Sequence, residues 1–200
     1  MADLILPGPT DRQPIEPQIL VDIAEAARTK DYFLMHWSEK RGITTQIPAS
    51  MDILDGIIEA SRPLISRLID ATGADSLIVE ANTRPVQPDC AQVVFTDAWH
   101  IDARKLDSDK MSLIASSVLP TLHAFGELPY DHPLAVSYLT PRMPKLDEEV
   151  RAALESNALT LLTPESNEAV IYSVNGLHVA QANETDQAID RTLAKFTTFS

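Results

Sequence analysis

The stretch AQVVFTDAWHIDA, residues 91–103, governs the interpretation of the whole chain. An apolar run that ends in a polar cluster is typical of a buried strand, and His100 and Asp102 stand at the end of this run. Side chains alternate across a strand, so His100 and Asp102 project to one face while Ile101 projects to the other. One imidazole and one carboxylate are therefore expected close enough together to bind the same ion.

A second strand-like segment, EAVIYSVNGLHVA at residues 168–180, offers a third ligand in His178. Two histidines and one carboxylate on one face of a metal form the ligand set of non-haem Fe(II) oxygenases, which keep the opposite face open. Cys90 is the only cysteine, so neither a disulfide framework nor a thiolate metal cluster is expected. Any metal in this chain is expected to be held by nitrogen and oxygen.

The composition is that of one ordinary domain. The chain has 200 residues, 44% of them hydrophobic, which is enough to bury most of the unfolded surface. We expect a single domain over residues 1–200, in which residues 1–73 form an arm and a helical support and residues 74–200 form the core. The sequence has neither a membrane-length apolar window nor a signal peptide, so a cytoplasmic location is expected. The net charge of −13 disfavours binding to nucleic acid and to anionic membranes.

The first third of the chain is predicted to be mainly helical. Residues 1–16 are rich in proline and are expected to run as an extended arm across the surface. Apolar residues recur at helical spacing over residues 17–29, and again over residues 50–72. Pro63 lies inside the second run and is expected to kink or divide that helix, which should stop at Gly73.

The remainder of the chain is predicted to be rich in β-structure. After Gly73, short segments of β-branched and apolar residues alternate with Pro, Asp, Asn and Gly, and one helix interrupts them at residues 145–156. The aromatic run at residues 32–37 fits a further strand or a loop that lines the core. About seven or eight strands at this spacing predict an antiparallel sandwich or an open barrel. Helices followed by strands indicate an α+β chain built around a jelly roll.

Four residues carry a resemblance to a known family. His100-x-Asp102 is followed 76 residues later by His178, and Arg191 comes 13 residues after that. This order resembles the Fe(II)/2-oxoglutarate-dependent dioxygenases of the double-stranded β-helix fold, over residues 76–200. The resemblance implies an α+β fold with N-terminal helices packed on a C-terminal double-stranded β-helix, or jelly roll. It also implies that His100, Asp102 and His178 bind Fe(II), while Arg191 pairs with the distal carboxylate of 2-oxoglutarate.

The last strand departs from the pattern of that family. The family often has Arg-x-Ser, whereas this chain reads Arg191-Thr192-Leu193 and lacks a hydroxyl at the second position. Thr121 is our candidate for the missing hydrogen bond to the co-substrate. Ser116 and Tyr138 are alternatives on the middle strands.

Other side chains are candidates for contacts with the substrate or the metal. Trp99, Arg84 and Arg142 stand beside strand ends and are predicted to bind substrate. The plainer interpretation is that Trp99 packs in the core and that both arginines are solvated. His123 or His132 could replace one of the proposed ligands, although His123 more simply forms a pocket wall and His132 belongs to a turn.

The resemblance implies a reaction with dioxygen that hydroxylates a small molecule, such as an amino acid or a biosynthetic intermediate. A lid over the substrate is expected at residues 126–133 or 141–145. One rival is a cupin-like metal enzyme that does not use 2-oxoglutarate, in which Arg191 is structural. Another is a non-catalytic jelly roll that binds a ligand or a partner protein.

Overall fold

The computed structural model describes residues 3–27, 32–38, 40, 42–46, 51–90, 99–102, 109–129 and 144–199. This part of the chain contains three helices, namely α1 (Pro17–Ala27), α2 (Met51–Thr72) and α3 (Pro144–Glu155). Its eleven strands are β1 (Asp3–Leu6), β2 (Asp11–Pro14), β3 (Tyr32–Ser38), β4 (Gly42–Gln46), β5 (Ser76–Val86), β6 (Met111–Ser116), β7 (Thr121–Pro129), β8 (Leu159–Leu162), β9 (Glu168–Ser173), β10 (Leu177–Ala180) and β11 (Ile189–Thr198). In these segments we find no helix with the length and apolar character that crossing a membrane requires.

The strands form two antiparallel sheets. The larger sheet has seven strands in the order β2-β9-β6-β11-β5-β3-β4, and the smaller has the order β1-β7-β10 with β8 also paired to β7. Successive strands cross between the sheets, because β6 and β9 belong to the larger sheet while β7 and β10 belong to the smaller. This crossing pattern is that of a jelly roll, and it brings residues far apart in the sequence to one pair of facing sheets. The prediction of an α+β chain with antiparallel strands is confirmed.

The two N-terminal helices share one apolar cluster with the larger sheet. α1 contributes Leu20 and Ile23, α2 contributes a stripe that includes Leu54 and Leu68, and β11 contributes Phe196. The apolar stripe at helical spacing therefore finds the buried partner that it requires. Every one of these five side chains is at most 1% exposed.

α2 is one helix of 22 residues with Pro63 in its interior. Of the two predicted outcomes the division at Pro63 is wrong, and the kink stays a prediction. Proline removes one backbone hydrogen bond, but packing on both sides of it can hold the helix together. Ile57 before it and Leu64 after it both belong to the apolar cluster. The helix stops as predicted, with Gly73 in the left-handed region at φ 69°.

The N-terminal segment, predicted as an extended arm across the surface, contributes one strand to each sheet. β1 pairs with β7 in the smaller sheet, and β2 pairs with β9 in the larger one. Residues 32–38 also form a strand, β3, beside β5. Pro14 ends β2, which is an edge strand, where proline is tolerated. The division of the domain at residue 73 stays a prediction.

Candidate metal centre

His100 and His178 face each other in an isolated antiparallel bridge, which joins residue 100 to β10 of the smaller sheet. The His100 amide donates to the His178 carbonyl at 3.0 Å, and the His178 amide donates back at 2.9 Å. Side chains directly opposite in an antiparallel pair share a face, and the two rings lie 4.3 Å apart between centroids. Ile101 is fully buried in a separate apolar cluster, on the side away from the histidines that the sequence predicted for it. Residues 91–98 and 103, the rest of the predicted strand, lie outside the described residues.

Asp102 completes a compact group with these histidines. Ligand atoms of His100, Asp102 and His178 all lie within 4.8 Å of one another. His178 Nε2 is 3.5 Å from Asp102 Oδ2. His178 Nδ1 lies 2.9 Å from the Gly176 carbonyl, which can only accept a hydrogen bond. Nδ1 therefore carries the hydrogen, and the lone pair of Nε2 points to the side on which a metal can bind.

Asp102 is held in its ionised form by its neighbours. Lys195 Nζ lies 2.7 Å from Asp102 Oδ2, and the Tyr172 hydroxyl donates to the same oxygen at 3.0 Å. Burial disfavours ionisation, but the positive charge and the hydrogen bond of Lys195 outweigh it, so the pKa of Asp102 falls well below its usual range. Lys195 and Tyr172 both contact Oδ2, and neither contact involves Oδ1. The carboxylate is thus oriented as well as charged.

The histidine that faces Asp102 is uncharged. Burial lowers the pKa of His178 well below its ordinary value, and this effect outweighs the attraction of Asp102. A metal ligand has to be a neutral imidazole, so no proton has to leave His178 before an ion binds at neutral pH. Charge and tautomer both suit coordination.

Arg191 lies deep between the sheets and is 2% exposed. Its Nη2 is 3.5 Å from the Ser116 hydroxyl and 3.4 Å from the Thr121 hydroxyl. Its Nε and Nη1 atoms are buried and have no hydrogen-bond partner in the described part of the chain. Burial lowers the pKa of Arg191 to about 10, so the guanidinium remains charged at neutral pH. A buried cation of this kind is costly unless an anion binds beside it.

Of the other predicted site residues, some lie near Arg191 and others do not. Thr121 adjoins Arg191, as described above, and Arg84 is directly opposite Arg191 in the register of β5 and β11. Trp99 packs against the apolar cluster around Ile101, and its backbone amide donates to Asp147 at 3.0 Å. Its packing matches the plainer interpretation, and a role in substrate binding stays a prediction. Arg142, Tyr138, His132 and much of both predicted lid segments lie outside the described residues.

Sequence reasoning missed two residues that surround the metal ligands. Lys195 lies on β11 four positions after Arg191, so the two side chains share a face of the strand. A lysine inside the otherwise uncharged run TLAKFTTF was the available signal for Lys195. Tyr172 carried no such signal, because aromatic residues are ordinary in strands.

Neither a protein-family model nor a curated protein matches this sequence. Solved structures do match it. The epimerase SnoN, in complex with Fe3+, alpha ketoglutarate and nogalamycin RO, superposes with a TM-score of 0.50 at 17% identity, over 94% of this chain and 78% of the epimerase chain. This chain has the fold of that enzyme. Alpha ketoglutarate is another name for 2-oxoglutarate. The resemblance to the Fe(II)/2-oxoglutarate-dependent oxygenases is therefore confirmed at the level of the fold.

Two further structures have lower similarity. HygX from Streptomyces hygroscopicus, with nickel and 2-oxoglutarate bound, gives a TM-score of 0.47 at 12% identity, over 93% of this chain and 80% of that one. A prolyl-4-hydroxylase from Pseudomonas putida gives 0.45 at 10% identity, over 95% and 92% of the two chains.

Proposed function

We propose that this chain is an Fe(II)/2-oxoglutarate-dependent oxygenase that hydroxylates a small molecule, with its N-terminal helices packed on a double-stranded β-helix. The observation that carries the proposal is the pairing of two features between the same sheets. One is a compact His, Asp and His group of the right charge, and the other is the buried guanidinium of Arg191 without an anion among the described residues. Each feature alone is ambiguous, but together they match a metal and a dicarboxylate.

The donor set fits Fe(II). Two imidazoles and one ionised carboxylate are nitrogen and oxygen donors of the kind that Fe(II) accepts. His100, Asp102 and His178 would hold the ion. When bound together, Fe(II) and 2-oxoglutarate supply the activation of dioxygen and the oxidation of a C–H bond. The protein supplies the ligand arrangement and surroundings in which His178 and Arg191 are buried from water.

Arg191 fits the distal carboxylate of 2-oxoglutarate. A guanidinium matches a carboxylate through two parallel hydrogen bonds, and Arg191 has two buried nitrogens that lack partners in the described chain. Thr121 and Ser116 keep Nη2 in place through their hydroxyl oxygens. Thr121, whose hydroxyl is 3.4 Å from Arg191 Nη2, would also donate to the same carboxylate in place of the missing serine.

The remaining roles are proposed with the same reaction. Trp99, Arg84 and Arg142 would contact the substrate, which we take to be a small molecule, and dioxygen is the second reactant. We propose a cytoplasmic location. The cupin-like alternative treats Arg191 as structural, and the lack of a carboxylate partner for it in the described chain argues against that role. The non-catalytic alternative treats the three proposed metal ligands as hydrogen-bonded polar residues, but it leaves the buried guanidinium of Arg191 without a carboxylate in the described chain.

The proposal is tested by succinate formation from 2-oxoglutarate with Fe(II) and dioxygen, in the wild-type protein and in His178→Ala. We expect the wild type to form succinate and the variant to form none, because one metal ligand is gone. His36→Ala is the matched control, since His36 lies on β3 against Phe199 and should leave turnover unchanged. Equal turnover in the wild type and His178→Ala would contradict the assignment.

A binding measurement separates the alternatives before any substrate is known. Without oxygen, Fe(II) and 2-oxoglutarate together should give a weak visible absorbance band in the wild type. A protein that binds Fe(II) but shows no change on addition of 2-oxoglutarate would favour the cupin-like alternative. A protein that retains no divalent ion would favour the non-catalytic one.

A further inference from the structure

His123 is a third histidine on the inner side of the smaller sheet. It lies on β7 directly opposite His178 on β10, so the two side chains share a face. Thr121, two residues earlier on β7, shares that face as well and contacts Arg191. The inner face of β7 therefore runs from the buried arginine at one end to the metal group at the other.

The ring of His123 is enclosed by the residues of this site. It is 2% exposed, and its centroid lies 6.0 Å from that of His178 and 4.8 Å from that of Tyr172. Its Nε2 atom is buried and has no hydrogen-bond partner in the part of the chain that the structure describes. A buried polar atom left unpaired costs about 1–3 kcal/mol, so natural proteins rarely keep one without a purpose.

His123 is not one of the converging ligands. Its nitrogens fall outside the group formed by His100, Asp102 and His178. Burial lowers its pKa to about 4, which outweighs the attraction of Asp102, and the ring is neutral at physiological pH. A neutral imidazole can place its hydrogen on either nitrogen, so Nε2 is able to donate one hydrogen bond to an anion without adding charge.

We propose that His123 binds the α-keto acid end of the co-substrate, while Arg191 and Thr121 bind the opposite carboxylate. The inference rests on the proposed function and adds to it His123, a residue that does not bind the metal. Positions 121 and 123 are separated by about 7 Å along the strand, which is comparable to the length of a five-carbon dicarboxylate. A molecule held at Arg191 and directed to the metal ligands therefore passes along β7 and beneath the unpaired Nε2.

The test uses protein loaded with Ni(II) in place of Fe(II), so that binding is measured without turnover. Calorimetry gives the affinity for Ni(II) alone and then for 2-oxoglutarate, in the wild type, His123→Leu and His123→Gln. His123→Leu should bind Ni(II) within about twofold of the wild type and 2-oxoglutarate about tenfold or more weakly, since one hydrogen bond to a charged group is lost. His123→Gln keeps a donor and should recover most of that affinity.

A second ligand tells the two ends of the co-substrate apart. 2-Oxobutanoate keeps the α-keto acid group and lacks the distal carboxylate. The loss caused by His123→Leu should persist with this ligand, whereas the loss caused by Arg191→Met should disappear. A merely structural role of His123 would weaken both ligands and Ni(II) alike.

Three results would overturn the inference. Equal 2-oxoglutarate affinity in the wild type and His123→Leu would remove the proposed hydrogen bond. A loss of Ni(II) affinity as large as in His178→Ala would make His123 a ligand or a support of one. A wild-type protein that binds Ni(II) but not 2-oxoglutarate would contradict the proposed function as well. This outcome is recognised from the titration of the wild type alone, whereas the first result requires that the wild type binds 2-oxoglutarate. If His123→Leu does not fold, His123→Asn, whose amide is too short to reach, takes its place with the same expected result.

Discussion

The two faces of β11 contrast sharply although they belong to one strand. Ala194 and Phe196 face the helices and lie in a cluster made of apolar side chains. Arg191 and Lys195 face the other way, in phase with Leu193, and are 2% and 7% exposed. Burial of apolar surface stabilises the first face, whereas burial of charge costs stability on the second. The helix side thus stabilises the fold. The inner side holds buried charges that destabilise the unliganded protein and that ligands would neutralise on binding.

Phe196→Ala should have the largest effect on stability. It removes a fully buried aromatic ring from the helix side and should lower the free energy of unfolding by about 3–5 kcal/mol. Urea unfolding measures the loss. The affinity of the folded fraction for Ni(II) should stay unchanged, because the ring faces away from the ligands. A large loss of metal affinity with little loss of stability would show that the two faces are not separable in this way.

The inner face should make stability depend on pH. Burial lowers the pKa of His123 from about 6.5 in the unfolded chain to about 4 in the folded one, so the unfolded chain binds more protons between these values. Stability is therefore lost as the pH falls from 6.5 to 4, by about 3 kcal/mol at most. The buried His178 acts in the same direction. His123→Leu should flatten the dependence measured by urea unfolding of the metal-free protein, and an unchanged slope would contradict the burial of a neutral ring.

Arg191→Met should separate binding from stability. The variant keeps much of the side-chain volume and removes the charge, so the affinity for 2-oxoglutarate should fall about 10- to 100-fold. The free energy of unfolding without ligand should rise, because a buried cation without a carboxylate in the described chain is gone. Calorimetry and urea unfolding give the two values. Arg62→Met on the surface of α2 is the control and should change neither. A destabilised variant with normal affinity would make Arg191 structural.

Tyr172→Phe should have the smallest effect. It removes the hydroxyl that donates to Asp102 and keeps the ring contacts with His123 and His178. We expect Ni(II) binding to weaken by about tenfold, the low end of the range typical for loss of a residue that orients a ligand, because Lys195 still holds Asp102. Titration with Ni(II) measures the change. Unaltered affinity would mean that Lys195 alone is sufficient to position the carboxylate.

Local sequence patterns predicted much of the scaffold. The spacing of Leu20 and Ile23 predicted α1, and the long apolar stripe with its terminal Gly73 predicted α2, because helical periodicity is a property of neighbouring residues. Strand pairing depends on residues that are distant in the sequence, so local patterns did not predict that β1 and β2 join the two sheets. The continuity of α2 through Pro63 likewise depends on packing from outside the helix.

The sequence by itself determined which residues could form a metal and carboxylate site. His100 and Asp102 at alternate positions must share a face, and the types and order of His178 and Arg191 complete a recognisable set. Only the tertiary structure decided what surrounds that set. Lys195, Tyr172 and His123 reach it from three strands of two different sheets, and distances between such strands follow from strand pairing and not from separation along the chain.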